Sequence, residues 1–380
     1  APGRPLPDCF HARAYTMIYL RSTSLCAALL AIIVRTGGAE GDTLAPAGHS
    51  FEWMVLSGEM LAFADNMEYF NDLREGETIL GSWAKLRLTY RPRPHTSFSL
   101  GGYIRKAFGH RSAFSDIRPL FRAQHSRNGL SLILGEIEAR ERHGLPEALL
   151  RREFRYDPAF EEGIQFLWRG DRGSLDLWAT VDTLHTKKRR ENLRFGNRSV
   201  LRLGPVQLLL MAHADHHGGQ LYNVPGPIKE NITGALGAAY ELRRNSKLSL
   251  VSIEEYILGS STSPDRSVYD HEQGWGSVSK ARVVVAGFDI SALFFFGNNY
   301  TTWQGDPFYM AEDPYYYLQI RRAAGLHPNA RLDFGLRMDF VGISPADYVK
   351  LPEHRMWIEL ECELDRAFGR WGKREHGSGE

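Results

Sequence analysis

One stretch decides the fold: Arg331-Leu332-Asp333-Phe334-Gly335-Leu336-Arg337-Met338-Asp339-Phe340, in which every second residue is apolar. Four of the five residues between the apolar ones are charged, and the segment Arg355–Asp365 repeats the alternation. A period of two is typical of a β-strand with one apolar and one polar face. Strands of soluble domains usually have about five or six residues, whereas a tilted strand that crosses a bilayer needs about nine to eleven. Both segments therefore have the length of membrane-crossing strands.

The N-terminal region has the pattern of a secretory signal peptide. An apolar run, Leu25–Val34, follows the basic residue Arg21 and precedes small residues that end at Ala39. This order predicts a signal peptide over residues 17–39, although a buried helix is the alternative interpretation. We expect residues 1–16 to be a non-native extension upstream of the true start, and residues 40–49 to be a short periplasmic segment.

The composition excludes several classes of protein. The 46 Lys and Arg residues nearly balance the 45 Asp and Glu residues, so we expect no nucleic-acid partner. The only apolar run of note has ten residues, too few to span a bilayer as a helix. Of three cysteines, only Cys362 remains after the predicted cleavage, so we expect no internal disulfide.

Connections of alternating length separate about sixteen strand candidates (about fourteen to eighteen). Short Gly/Asn/Pro/Asp connections of the hairpin type, such as Ser126–Gly129 and Gly170–Gly173, take turns with long ones, such as Glu141–Pro158 and His216–Glu230. Transmembrane β-barrels have short periplasmic turns and longer outer loops. A soluble β-sandwich has no reason to keep this order along the whole chain.

Together these features resemble Gram-negative outer-membrane porin-like β-barrels, over residues 50–369. The resemblance implies an all-β, antiparallel up-and-down transmembrane barrel in the outer membrane, in contact with membrane lipid and lipopolysaccharide. It leaves open whether the barrels assemble as a homotrimer. One departure is the polar tail, residues 370–380, because such barrels commonly end on an aromatic strand residue.

The polar faces of the strands predict a charged lumen, because about sixteen strands enclose an aqueous channel. Rings of charged side chains decide which ions pass through a pore. The alternative is that these side chains only neutralise one another and hydrate the wall. The predicted lumen-lining and selectivity residues are Lys85, Arg87, Asp176, Asp182, Arg331, Asp333, Arg337, Asp339, Glu359, Glu361 and Glu363. Glu141–Pro158 and His216–Glu230 are both candidates for a loop that narrows the bore.

Aromatic residues at the strand ends predict two interfacial girdles, since amphipathic rings prefer the headgroup zone. The predicted girdle residues are Tyr90, Trp168, Tyr240, Tyr315, Tyr316, Tyr317, Phe340 and Trp357. Near the middle of the chain, His213, Asp215 and His217 share one face of a strand. Their first and last Cα atoms are separated by roughly 13 Å on a strand, whereas zinc ligands lie about 2 Å from the metal. We therefore expect no metal and no cofactor.

We expect a channel for the passive diffusion of small hydrophilic solutes or ions, without enzymatic activity. A first alternative is a structural or conduit barrel that sheaths a partner protein or exports a polysaccharide. A second is an outer-membrane hydrolase that uses His213 or His125 as a base, with Ser126 beside the latter. No Gly-x-Ser-x-Gly nucleophile elbow is present in the sequence, so the residues alone favour the channel.

Overall fold

The computed structural model describes residues 51–157, 160–219, 222, 224–243, 248–342 and 353–371. The expected upstream extension, signal peptide and periplasmic segment, and the tail beyond residue 371, lie outside the described residues. Among the described residues, no helix is long and apolar enough to span a bilayer.

Sixteen antiparallel strands account for most of the described chain. Each strand pairs with its neighbours in sequence, and the last strand pairs with the first to close the barrel. The predicted sixteen-stranded up-and-down barrel is therefore confirmed. The strands are β1 (Phe51–Phe70), β2 (Glu75–Arg93), β3 (Thr96–Ala107), β4 (Asp116–Arg127), β5 (Leu130–Glu136), β6 (Glu162–Gly170), β7 (Gly173–Thr183), β8 (Glu191–Leu203), β9 (Val206–Gly218), β10 (Lys229–Arg243), β11 (Leu248–Ser263), β12 (Glu272–Val285), β13 (Phe288–Asn298), β14 (Tyr315–His327), β15 (Ala330–Val341) and β16 (Glu353–Trp371).

The connections alternate in length, as predicted. At one end of the barrel, β3 follows β2, β5 follows β4 and β13 follows β12 after two residues each. In the turns Asn128-Gly129 and Ala286-Gly287 all four residues have positive φ, which is typical of the type I′ turn that suits the twist of a hairpin. Longer loops join the strands at the other end, which is the outer end in membrane barrels of this kind.

Alternation along the strands separates an apolar outer wall from a polar inner wall. On β11, Ile253 and Ile257 face outwards and are exposed, whereas Ser252, Tyr256 and Leu258, which have the opposite parity, are buried inside. This parity places apolar side chains against lipid. It also explains why many large apolar residues are exposed in the barrel taken by itself.

The aromatic girdle prediction is correct for some residues and wrong for others. Tyr90, Trp168 and Tyr240 are exposed near the short turns. Tyr315, Tyr317 and Trp357 instead face inwards and are buried, because their parity opposes that of the exposed Leu318 and Ile358. On the outer wall, Tyr316 stacks on Phe340 with ring centroids 4.8 Å apart.

The connection between β5 and β6 folds into the lumen, and we call its described residues 137–157 the plug. It carries two 3₁₀ turns, Arg140–Gly144 and Arg152–Arg155. Between them, Leu145, Leu149 and Leu150 are almost completely buried in the main apolar cluster. The described residues of Glu141–Pro158, one of the two loops predicted to narrow the bore, therefore do enter it.

A second loop, between β13 and β14, holds the plug from the outer end. The Tyr300 hydroxyl donates to the Ala148 carbonyl at 3.0 Å, and the Arg151 amide donates to the Gln304 carbonyl at 2.8 Å. The lumen is therefore filled by chain segments over part of its length.

Candidate functional site

Three buried arginine–carboxylate groups fasten the plug to the inner wall. In the first, Arg337 on β15 contacts Glu147 of the plug at 2.5 Å and Asp339 at 2.6 Å. Its guanidinium also donates to the Tyr315 hydroxyl at 2.7 Å. Burial alone raises the pKa of Glu147, but Arg337 and Arg142 outweigh it and lower that pKa to about 2. The plug carboxylate is therefore held ionised at neutral pH.

The second group lies where β16 closes the barrel on β1. Arg355 contacts Asp65 of β1 at 2.6 Å and Glu153 of the plug at 2.6 Å. Arg74 contacts Glu153 at 3.0 Å and Asp306 at 2.8 Å. Burial opposes the ionised form of Glu153, yet Arg355 and Arg74 hold its pKa below the ordinary value.

The third group is centred on Glu359 of β16. Arg152 and Arg155 of the plug contact its carboxylate at 2.8 and 3.0 Å. The Tyr156 hydroxyl donates to the same carboxylate at 2.5 Å. Because a buried charge is costly unless it is paired, the three groups together fix the position of the plug.

The structure places the predicted lumen residues on the inner wall, in three different surroundings. Four of them were expected to face open water but are at most 2% exposed: Asp333, Arg337, Asp339 and Glu359. The reason is that the plug and neighbouring side chains cover them. Asp182 forms an ion pair with Arg194. The remaining residues line a cavity: Lys85, Arg87, Asp176, Arg331, Glu361 and Glu363. A role of these residues in ion selectivity stays a prediction.

The cavity has a volume of 1160 Å³ and lies between the plug and the short-turn end. Its lining runs from Leu150 and Phe154 of the plug to His327 and Asn329 at a short turn. At the wall of the cavity, the Arg87 guanidinium donates to the Glu136 carboxylate at 2.6 Å, so these two charges neutralise each other.

A histidine of the plug packs closely against the wall of this cavity. His143 stacks on Trp178 with ring centroids 3.7 Å apart, and its Nδ1 lies 2.9 Å from Asp176. Its Nε2 lies 3.8 Å from Glu161. Burial lowers the pKa of His143, but the two carboxylates outweigh it and raise that pKa above the ordinary value.

The three residues on one face of β9 do not meet at a single point. His213 Nδ1 lies 3.5 Å from Asp215, whose other carboxylate oxygen accepts from Gln304 at 2.9 Å. His217 instead packs edge-on against Trp303. Among the described residues, no group of three or more His, Cys, Asp or Glu side chains is placed to hold a metal ion.

A different polar group lies on the outside of the barrel at the outer end, and we call it the outer-wall cluster: His216, Glu230, Arg266 and His271. His216 Nδ1 lies 2.9 Å from Glu230. Arg266 donates to the same carboxylate at 2.8 Å, and His271 Nε2 lies 3.1 Å from it.

The strand register shows that this cluster faces outwards. His216 has the parity of the exposed residues Leu208 and Leu210 on β9, and it pairs with Glu230 on β10. Glu230 in turn has the parity of the exposed Ile232. The cluster therefore lies on the lipid-facing side, at the outer end of the barrel wall.

The arrangement of the cluster suits proton transfer. Glu230 faces Nδ1 of His216, which makes Nδ1 the donor and leaves Nε2 with a lone pair. His216 retains 28% of its side-chain surface. A Cβ atom at Gly218 would lie 2.2 Å from His216 Nε2, so glycine leaves space for the ring.

A second outward-facing polar group lies where β1 pairs with β2. The Thr78 hydroxyl donates to the Asn66 side chain at 2.5 Å, and Asn66 donates to Glu68 at 3.1 Å. This second group differs from the outer-wall cluster, because it has no histidine hydrogen-bonded to a carboxylate.

A family model described as lipid A 3'-O-deacylase-type matches residues 52–340. This match covers 289 of the 380 residues. The chain belongs to the lipid A 3'-O-deacylase-type family. Because the family is named after an enzyme, our expectation that the chain has no enzymatic activity is wrong.

Solved structures show the fold of this deacylase-type chain in other proteins. The outer membrane protein OprD from Pseudomonas aeruginosa is 7% identical, with a TM-score of 0.54, over 85% of this chain and 96% of that one. OccK8 (OprE) from Pseudomonas aeruginosa is 10% identical, with a TM-score of 0.50, over 82% of this chain and 98% of that one. Among curated proteins, no sequence matches the chain. The resemblance to a porin-like outer-membrane barrel is therefore confirmed at the level of fold.

The outer-wall cluster of this deacylase-type chain was not predicted from the sequence. The predicted polar face was that of the inward-facing His213 and Asp215, and His216 was expected to begin a loop. Glu230 and His271 are 14 and 55 residues from His216, and only the pairing of β10 with β9 on one side and with β11 on the other brings them together. One feature of the sequence could have indicated the position of His216. It is an even number of residues from the apolar Leu208 and Leu210, so it lies on the same outward face of the strand.

Proposed function

We propose that this chain is an outer-membrane ester hydrolase that removes acyl chains from lipid A, with the barrel as its scaffold. The observation that carries the proposal is the His216–Glu230 pair on the lipid-facing wall at the outer end. Family membership supports the same class of reaction.

The position of the pair matches where such a substrate lies. The acyl chains of an outer-leaflet lipid pack against the apolar wall, and their ester groups lie at the boundary with the headgroups. The outer-wall cluster continues the rows of Leu210 and Ile232 towards the loops, so it lies beyond the apolar wall. A lipid can reach it without entering the lumen.

The proposed reaction is a hydrolysis with His216 as general base. Nε2 accepts a proton from a water molecule, whose oxygen attacks the acyl carbonyl carbon. The carbon–oxygen bond to the sugar then breaks, and the proton passes from His216 to the leaving alkoxide. Glu230 orients the imidazole and stabilises its charged form, while Arg266 brings a cation close to the developing oxyanion.

The test is the release of fatty acid from lipid A by the purified barrel in detergent micelles, followed by mass spectrometry. His216→Ala is expected to lower the rate by about 10²–10⁴-fold, the usual contribution of a general base. Glu230→Gln is expected to lower it less. The matched control is His125→Ala, because His125 lies at the short-turn end, where its Nδ1 is 3.0 Å from the Thr96 hydroxyl.

Two results would contradict the assignment. If the wild-type barrel releases no fatty acid, the proposed activity is wrong. If release depends on Asn66 and Thr78 but not on His216, the reaction takes place at the β1–β2 group instead.

A second candidate function is the passage of small hydrophilic solutes or ions. The charge-lined cavity of 1160 Å³ at the short-turn end favours it. The plug opposes it, because its leucines and ion pairs occupy the lumen beyond that cavity. Passage therefore requires the plug to move, and the conductance of Glu147→Gln, a variant expected to loosen the plug, tests this. The homotrimer and the signal peptide stay predictions.

A further inference from the structure

A basic turn stands at the outer end between β7 and β8, and we call residues 186–189 the basic turn. Lys187, Lys188 and Arg189 are all exposed. Arg190 follows them directly, which makes four consecutive cations. Within the described part of the chain, no carboxylate lies at ion-pair distance from the first three side chains.

Hydrogen bonds give the basic turn a defined shape. The Thr186 amide donates to the Arg189 carbonyl at 2.9 Å. The Thr186 hydroxyl accepts from the amides of Lys188 and Arg189 at 3.3 and 3.2 Å. Because the backbone is tied to itself, three cationic side chains are presented together on one short loop.

Arg190 ties the basic turn to the neighbouring loop between β9 and β10, the two strands that carry His216 and Glu230. Its guanidinium donates to the carbonyls of Val224 and Gly226 at 2.8 and 2.9 Å. Glu191, the next residue, pairs with Gly218, two residues after His216. The basic turn therefore leads directly into β8, the strand whose Leu193 pairs with the proposed catalytic His216.

Apolar side chains border the same surface. Leu184, just before the basic turn, is 70% exposed, and Val181 on the lipid-facing wall of β7 is also exposed. Val268 and Tyr269, in the loop that supplies Arg266 and His271, are exposed as well. Cations beside exposed apolar groups at the outer end of a membrane barrel suit a ligand with both anionic and acyl parts.

We propose that the basic turn binds a phosphate group of an anionic glycolipid in the outer leaflet and so places an acyl ester beside His216. This inference rests on the proposed function and adds the group that recognises the substrate. A phosphomonoester carries about −1.5 to −2 charges near neutral pH, which three cations can neutralise. A soluble phosphate compound would make no use of Leu184 and Val181.

The experiment compares two ligands with the same acyl chains, bisphosphorylated lipid A and its enzymatically dephosphorylated form, in nanodiscs that carry the full chain. Binding is measured in a His216→Ala background, so that turnover does not interfere. The variant is Lys187→Gln/Lys188→Gln/Arg189→Gln. The control is Arg93→Gln/Arg127→Gln/Arg172→Gln, which removes three exposed cations at the short-turn end.

The basic-turn variant is expected to lose about 100-fold in affinity for the phosphorylated lipid, because each cation near an anionic surface contributes about a factor of five. Its affinity for the dephosphorylated lipid is expected to stay unchanged, as is the affinity of the control variant for both lipids. Equal affinities of the basic-turn variant and the parent for the phosphorylated lipid would overturn the inference. So would an equal loss for both lipids.

This result is separable from that of the proposed function. If the phosphate-dependent binding is observed but the wild-type barrel releases no fatty acid, the binding site stands and the hydrolase proposal fails. If fatty acid is released but the basic-turn variant binds phosphorylated lipid A as tightly as its parent, this inference alone fails.

Discussion

Neutralising Glu147 is expected to loosen the plug without opening the barrel. Glu147→Gln keeps the shape of the side chain but removes the charge that Arg337 contacts at 2.5 Å. Arg337 keeps Asp339, so its guanidinium does not become a lone buried charge. The strand ladder contains no part of the plug and is expected to stay intact.

The size of the effect follows from the pKa of Glu147. The difference between the ordinary value of 4.5 and about 2 corresponds to about 3 kcal/mol. Because 17% of the side chain is still exposed, we reduce this to about 2 kcal/mol. A lowered pKa means that this contribution is present above the ordinary value of 4.5 and is lost as the pH falls towards 2.

Hydrogen exchange followed by mass spectrometry measures this directly. Amides of residues 145–157 are expected to exchange about 30-fold faster in Glu147→Gln at neutral pH, whereas strand amides keep their protection. Wild-type protein is expected to approach the variant as the pH falls towards 2. In planar bilayers, the variant is expected to show larger or more frequent conductance steps than wild type.

The control is Glu312→Gln, since Glu312 is exposed in the loop between β13 and β14. It is expected to change neither exchange nor conductance. Unchanged protection of residues 145–157 in Glu147→Gln would refute the reasoning. A loss of protection spread equally over the strands would do so too, because the plug would then not be a separate unit.

Two further predictions concern other parts of the barrel. His143 has a raised pKa, so its contribution to plug stability is fully present below the ordinary value of 6.5 and is lost as the pH rises through the pKa in the folded state. The fluorescence of Trp178 is obtained as the difference between wild type and Trp178→Phe. It is expected to change with pH above 6.5 in wild type and to stay constant with pH in His143→Gln. A wild-type signal that does not change with pH would contradict this. Ile257 is 67% exposed on the lipid-facing wall, so Ile257→Leu is expected to fold like wild type. Ile257→Arg is expected to lower the folding stability in vesicles by about 2–4 kcal/mol. Heat-modifiable electrophoretic mobility measures the folded fraction of each variant. Equal folding of the two variants would show that Ile257 does not face lipid.

Alternation predicted strands well where the inner face is polar and poorly where it packs on the plug. The alternating stretch Arg331–Phe340 lies within β15, which extends one residue beyond it at each end. Along β1 (Phe51–Phe70), by contrast, the alternation of apolar and polar residues in the sequence is weak. The reason is that Met67 and Tyr69 face inwards but are apolar, because they pack in the cluster that contains the plug.

Packing against distant parts of the chain also explains the wrong predictions at the candidate sites. Charged inward residues were expected to face water, yet Asp333 and Glu359 are buried by segments that come from other parts of the chain. Enzymatic activity was rejected because no local motif was present. The outer-wall cluster has no local motif, since its carboxylate and its two imidazoles come from three separate strands and loops.

The sequence by itself determined the barrel. A period of two assigns each strand residue to the lipid or to the lumen, and the length of each connection assigns it to one end of the barrel. Both are properties of residues that are neighbours in the sequence. Only the tertiary structure decided what fills the lumen and which polar groups meet on the outside. Arg337 and Glu147 are 190 residues apart, so their contact depends on closure of the whole barrel and on packing that no local pattern records.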